Sequence, residues 1–241
     1  IVFDTGSQDK TVEIIKKIAA EFPDKIIFEE KGVCDKIRHS QLRQEMLERT
    51  QTEWFMVLDG DEVWTKRGVE EAVDTINKNK EKINCVIVDV YLCTGDIFHD
   101  HNRKLVAQIN GVKNLAMSRF YKVRPGMRWV GEFGEKLVDE NKKYVWDDPA
   151  VCLTLKNKFW HLTHLQRSTQ DDLDYTSNSN TETRKNKRRK TYFVIGSKIN
   201  EEAPEAFGED FKKANRLGWF RSFLNFWPYF FKTVVKKLKQ A

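Results

Sequence analysis

Cysteine and proline are scarce in this chain, at 4 Cys and 5 Pro among 241 residues. Cys34, Cys85, Cys93 and Cys152 are widely spaced and form no CxxC pair. That excludes a disulfide framework or a zinc site and points to reduced thiols of a cytosolic enzyme, with burial as small hydrophobes expected for all four. With so little Pro and only 12 Gly, collagen-like and low-complexity classes are excluded. A mean hydropathy of -0.62 argues against a polytopic membrane protein. What is present is apolar material, 40% of residues, and charge, 32%, enough for one domain with a substantial core plus an appendage.

Charge is unevenly distributed. The net charge is +6, yet Phe211 to Ala241 holds eight Lys/Arg, no Asp/Glu and nine of the aromatic residues. Without that stretch the body is nearly neutral. A neutral body is no nucleic-acid binder, and a basic aromatic tail points to an acidic surface as its partner. The chain opens on Ile1-Val2-Phe3-Asp4, which reads as the end of a strand without a Met or a preceding element. The expectation is therefore an N-terminally truncated fragment lacking at least a first strand and helix.

The apolar pattern alternates. Ile1 to Phe3 reads as a strand, and Val12, Ile15, Ile18 and Ala19 as a helix capped by Ser7 or Asp9 and ended before Pro23. Lys25 to Phe28 reads as a strand, Ile37 to Arg49 as a helix, and Trp54 to Leu58 as a strand buried on both faces. A helix over Val69 to Ile76 and a strand over Cys85 to Leu92 complete an α/β pattern. Beyond it the chain is strand-rich, at Leu105 to Ile109, Ala116 to Val123, Phe133 to Val138 and Val151 to Leu155, which implies a mixed sheet. Thr176 to Lys190 contains no hydrophobic residue and reads as a loop or an exposed helix end.

Asp59-Gly60-Asp61-Glu62 follows the Trp54 to Leu58 strand. Ligands of open α/β sheets bind beyond the carboxyl ends of strands. If the extended conformation persists, Asp59 and Asp61 face the same side and can bind a hard divalent cation that neutralises a diphosphate. Asp4 lies at another strand end, in Asp4-Thr5-Gly6-Ser7-Gln8-Asp9; a buried Asp there can accept from a nucleobase imide or a ribose hydroxyl. Gly6, Ser7 and Asp9 are also what a turn and helix cap require. His99 and His101 read as a loop rather than a metal pair, and His39 is likewise no ligand.

Four segments together resemble the family-2 glycosyltransferases of the GT-A fold. IVFDTGSQDKT is similar to the VVDTGSTDGT common in that family, and RQEMLERTQTEWFMVLDGDE sets Arg43 sixteen residues before Asp59, like the ARN and LDADE of the family, with Gln44 replacing Asn. Ser118-Arg119-Phe120-Tyr121 and the Arg128 to Leu137 segment resemble RLFR and WxGx[IV]HExL of a branch that includes enzymes building lipopolysaccharide cores. Here Gly134 stands at the His and Glu135 keeps the acid. Trp160-His161, followed by Arg167-Ser168, matches that branch's late His and RS pair.

The resemblance implies an α/β, GT-A (Rossmann-like) catalytic domain over residues 1–205, with the first strand missing, and an amphipathic tail over 206–241. It implies an inverting transfer of a sugar from a nucleotide-diphospho-sugar donor to a hydroxyl of a glycan, lipid-linked or envelope acceptor. Asp4 holds the base, Asp59 the ribose or a metal-bound water, and Arg43 lies on the nucleotide side. Asp61 and His161 hold Mn²⁺ or Mg²⁺. Glu135 is the general base, with Glu132 as the alternative.

From Phe220 the apolar residues Phe220, Phe223, Leu224, Trp227, Phe230, Phe231, Val234, Val235 and Leu238 step by three and four, opposite Arg221, Asn225, Lys232, Lys236 and Lys239. Such a stretch reads as interfacial helices on an anionic membrane, placing the enzyme in the cytoplasm as a peripheral membrane protein. Two rival readings remain at this point: a catalytically silent membrane-binding module of the same fold, and a nucleotidyltransferase that releases pyrophosphate.

Overall fold

A computed structural model describes residues 1–100, 116–162, 165 and 197–214. The Leu105 to Ile109 and Thr176 to Lys190 segments, His101, His164, Arg167-Ser168 and the tail from residue 215 lie outside the described residues. The chain divides into two units.

Among the described residues the first unit comprises 1–55 and 122–147. Strand β1 (Val2–Asp4) pairs in parallel with β2 (Phe28–Glu30), with helix α1 (Thr11–Glu21) between them. A parallel pair needs such a crossover, and the apolar residues Val2, Phe3 and Phe28 fit the half-buried surface it creates. β2 begins where the expected Lys25 to Phe28 strand ends, because the backbone of Lys25 and Ile26 bonds back to Phe22. Ser7 does not cap α1; Asp9 accepts from the Thr11 amide in a local turn before the helix. Helix α2 (Lys36–Glu48) starts at Asp35, whose carboxylate accepts the Arg38 amide at 2.7 Å.

Phe3 carries a box of charge. Lys31 bonds to Glu29 and Glu45, Arg49 bonds to the same two carboxylates, and both cations lie over the Phe3 ring. The box ties β1, β2 and α2 together. Buried apolar residues are few here, and α1 buries none; Ile14, Ile18 and Phe22 are exposed.

Among the described residues the second unit comprises 56–100, 116–121, 148–162, 165 and 197–214. In chain order the strands that follow β2 are β3 (Trp54–Met56), β4 (Glu62–Val63), β5 (Cys85–Thr94), β6 (Asp96–Asp100) and β7 (Ala116–Lys122). The first unit's hairpin supplies β8 (Arg128–Val130) and β9 (Lys136–Val138); β10 (Cys152–Thr154), β11 (Phe159–His161) and β12 (Ser197–Lys198) return to the second. Its helices are α3 (Lys66–Asn79), capped by Thr65, and α4 (Glu209–Ala214).

The sheet of this unit is mixed, as expected. β5 runs parallel to β10 and β11 and antiparallel to β6 and β7. β11 in turn pairs antiparallel with β4, setting His161 opposite Glu62. Nine of the ten β5 residues are buried. Trp160, Cys93, Ile97 and Phe207 pack in one core around it.

Four expectations change. Burial on both faces belongs to β5, not to Trp54 to Leu58, whose β3 portion is half-buried and whose Leu58 is 60% exposed. The Phe133 to Val138 strand shortens to β9 because Gly131 and Gly134, both at positive φ, make a turn there. Cys34 and Cys152 are half-buried rather than buried, and His99 lies in strand β6 rather than a loop.

Candidate functional site

In the first unit, Asp4 ends β1 and is buried. Its carboxylate accepts the amides of Gly6 at 2.9 Å and Ser7 at 3.1 Å, so the side chain closes its own turn. Gly6 adopts φ +97°, and a Cβ there would lie 2.7 Å from Val33 Cγ2, so the turn needs glycine twice over.

One polar face of α2 grips the Trp129 to Glu135 turn of the same unit. Lys36 pairs with Glu132, His39 Nδ1 lies 2.9 Å from the Phe133 carbonyl, and Gln44 accepts the Trp129 amide at 2.9 Å. Arg43 donates to the Gly134 carbonyl at 3.4 Å and lies over the Trp129 ring. A Cβ on Gly134 would meet Ser40 Cα and Arg43 Cδ at 3.2 Å, so α2 fills the space a larger residue needs. Glu135 is exposed and accepts the Phe133 amide at 3.0 Å.

The Asp59 to Glu62 segment of the second unit is not extended. The Glu62 amide donates to the Asp59 carbonyl at 3.0 Å, closing a turn that sends the two aspartates to different partners. Asp59 Oδ2 pairs with Arg119 Nη2 at 3.3 Å. Asp61 Oδ1 lies 3.5 Å from His161 Nε2, and the Asp61 carbonyl accepts the Leu162 amide. The structure thus brings the DGDE turn and His161 together, as the sequence suggested, through the pairing of β4 with β11.

Arg119 and Glu62 were not assigned roles from sequence. Glu62 has no exposed side-chain surface and is bonded by the Arg119 guanidinium through both oxygens. Burial pushes the Glu62 carboxyl above the usual carboxylate range, and Arg119 counters this only in part. Burial also works against the Arg119 charge, but Glu62 and Asp59 outweigh it and hold Arg119 above its ordinary value. Trp64 and Phe159 stack at 4.7 Å beside this pair, and Arg119 lies over the Phe159 ring. The signals were the acid directly after DxD and the Arg of the Ser118-Arg119-Phe120-Tyr121 strand, one residue type matched to the other across β4 and β7.

Among the described residues no three His, Cys, Asp or Glu side chains gather as a ready-made metal cage. Asp61 and His161 still suit a divalent cation that arrives with a diphosphate. Their 3.5 Å separation is longer than a good hydrogen bond, and His161 Nδ1 is buried without a hydrogen-bond partner among the described residues. Hard cations of this size take one or two protein ligands and complete their shell from phosphate oxygens and water.

None of the curated proteins compared matches this chain. The family model described as "Glycosyl transferase family 2" matches residues 1–199. That match makes the α/β architecture with its mixed sheet a GT-A fold and the activity glycosyl transfer from a nucleotide-sugar donor. The chain belongs to glycosyl transferase family 2.

Proposed function

We propose that the chain is a metal-assisted, inverting glycosyltransferase that moves a sugar from a nucleotide-diphospho-sugar to a hydroxyl of a glycan or lipid-linked acceptor of the cell envelope. The pairing of Asp61 with His161 carries this reading. It joins a carboxylate and an imidazole more than ninety positions apart in sequence at the end of β4 and β11. Asp61 and His161 would hold Mn²⁺ or Mg²⁺, and such an ion supplies charge stabilisation to the departing nucleoside diphosphate.

The remaining roles follow from the residues themselves. Asp4, buried at a strand end, takes the nucleobase side, and Arg43 steadies the Gly134 turn on the nucleotide side. Asp59 is oriented by Arg119 toward the ribose or a metal-bound water. Glu135 accepts the proton of the acceptor hydroxyl as its oxygen attacks the anomeric carbon. Its exposed carboxylate is open to a large acceptor, whereas Glu132 is tied to Lys36. The tail expected over residues 206–241 begins later than that, since Phe207 packs in the core of the second unit, and its part from Phe220 docks the enzyme on the cytoplasmic side of an anionic membrane. Its supports are the run of aromatic residues and lysines from Phe220; among the described residues no helix is long and apolar enough to cross a membrane.

Asp61→Asn tests the central reading. Transfer is expected to fall at least about a hundredfold while the melting temperature holds, because ligand charge is lost and core is not. Full metal-dependent transfer in that variant defeats the assignment. Sedimentation of the full chain with anionic but not neutral vesicles tests the tail, and equal binding to both rejects an electrostatic dock.

A further inference from the structure

The DGDE turn presents three carboxylates within four residues, of which the sequence alone marks Asp59 and Asp61 as candidates for a cation. The structure separates those two. Arg119 donates through Nε and Nη2 to Glu62 and through Nη2 to Asp59, and its side chain is 12% exposed. Glu62 is completely enclosed, with Trp64 Nε1 3.5 Å from its second oxygen. Asp61 turns the other way, toward His161.

We infer that Arg119 is a positioning residue that sets the charge of this turn: by holding Asp59 and Glu62 it leaves a divalent cation to Asp61 and His161. This deepens the metal reading above and rests on it. Two physical consequences follow. A guanidinium fork shared by two carboxylates offsets about half of their combined charge and occupies the oxygens that would otherwise bind a cation. A buried carboxylate committed to Arg119 has no reason to leave it for a hydrated ion, since the orphaned guanidinium would then be left uncompensated. The turn is therefore a one-carboxylate site built from a three-carboxylate sequence. Arg119 also fixes the backbone between its two partners, so the carbonyl of Asp61 can bond to Leu162 and keep β4 registered on β11.

The test is a titration of the full chain with Mn²⁺ alone, followed by electron paramagnetic resonance, without nucleotide or turnover. Asp61→Asn is expected to weaken Mn²⁺ binding by about tenfold or more, and Asp59→Asn by less than about threefold, since an Asp59 oxygen is engaged by Arg119 and turned from the cation. In Arg119→Met combined with Glu62→Gln, no buried carboxylate is orphaned and Asp59 is released, so Mn²⁺ affinity is expected to rise about tenfold. A merely structural Arg119 would not produce a gain. If Asp59→Asn weakens Mn²⁺ binding as much as Asp61→Asn does, the charge-setting role is overturned while the metal site stands. If Asp61→Asn leaves Mn²⁺ binding unchanged, the metal reading itself has failed and the inference with it. Should the double variant fail to fold, the contrast between the two aspartate variants decides alone.

Discussion

The two units of this protein satisfy the carboxylates of their acidic turns in opposite ways. In the first unit, Asp4 bonds to amides two and three residues along, and Glu135 to one two residues back. In the second, Asp59 and Glu62 find a guanidinium some sixty positions away, and Asp61 an imidazole farther still. The same contrast runs through the supports. The first unit leans on a solvent-facing box of charge over Phe3, and the second on a strand buried along nearly its whole length. A locally satisfied acid makes its own turn and needs little else to be correct. A distantly satisfied one requires the whole sheet to be in register first, so its geometry reports on the fold.

Glu135→Gln should give the largest effect in this comparison. A general base acts on the chemical step alone, so turnover is expected to fall by about a hundredfold or more with donor KM nearly unchanged. The amide of Gln can still accept the Phe133 N–H, so the turn survives. If Glu132→Gln gives the loss instead, the base sits three residues earlier.

Next comes a paired measurement of stability. Arg119→Met strands a fully enclosed Glu62 and is expected to cost about 3–5 kcal/mol in chemical denaturation. Asp4→Ala removes only turn-closing bonds and is expected to cost about 1 kcal/mol. Comparable losses in the two variants would erase the distinction between distant and local satisfaction.

Sequence made the element types legible because they are written in short-range periodicity. The α1 and α2 helices and the mixed sheet were foreseen. The role of β3 was misjudged because a five-residue apolar run shows hydrophobicity without showing neighbours. β5 has strands on both edges and is buried, whereas the chain leaves β3 for an exposed Leu58. The Phe133 to Val138 strand failed on two glycines whose positive φ outweighs an apolar pattern. Arg119 was given no site role because its partner Glu62 lies on another strand, 57 positions away. Asp59 and Asp61 were expected to share a face, and a single turn hydrogen bond separated them.

The smallest effect, and the finest test of the contrast, is the response to acid. In the first unit the bonds from Lys31 and Arg49 hold Glu29 below the usual carboxylate range, and the bond from Lys31 does the same for Glu45. A carboxyl depressed in the folded state contributes stability above its unfolded pKa of about 4.3, and that contribution is lost as pH falls through the folded value. In the second unit, Glu71 follows the same sign: burial opposes it, but amide bonds from Lys156 and Asn157 hold it low. Glu62 has the opposite sign. Its folded pKa is raised, so the folded form binds more protons than the unfolded one between the two values, and stability is gained as pH falls through that window. Glu62 therefore offsets Glu71 in the second unit, whereas Glu29 and Glu45 act with one sign in the first. Hydrogen exchange between pH 7 and 4, corrected for the intrinsic rate, should show amides of β1, β2 and α2 losing protection before those of β5. Salt should shrink the difference, because the box faces solvent and is screened. Protection lost in parallel across both sets, at every ionic strength, would show that the box over Phe3 contributes nothing that the sheet of the second unit lacks.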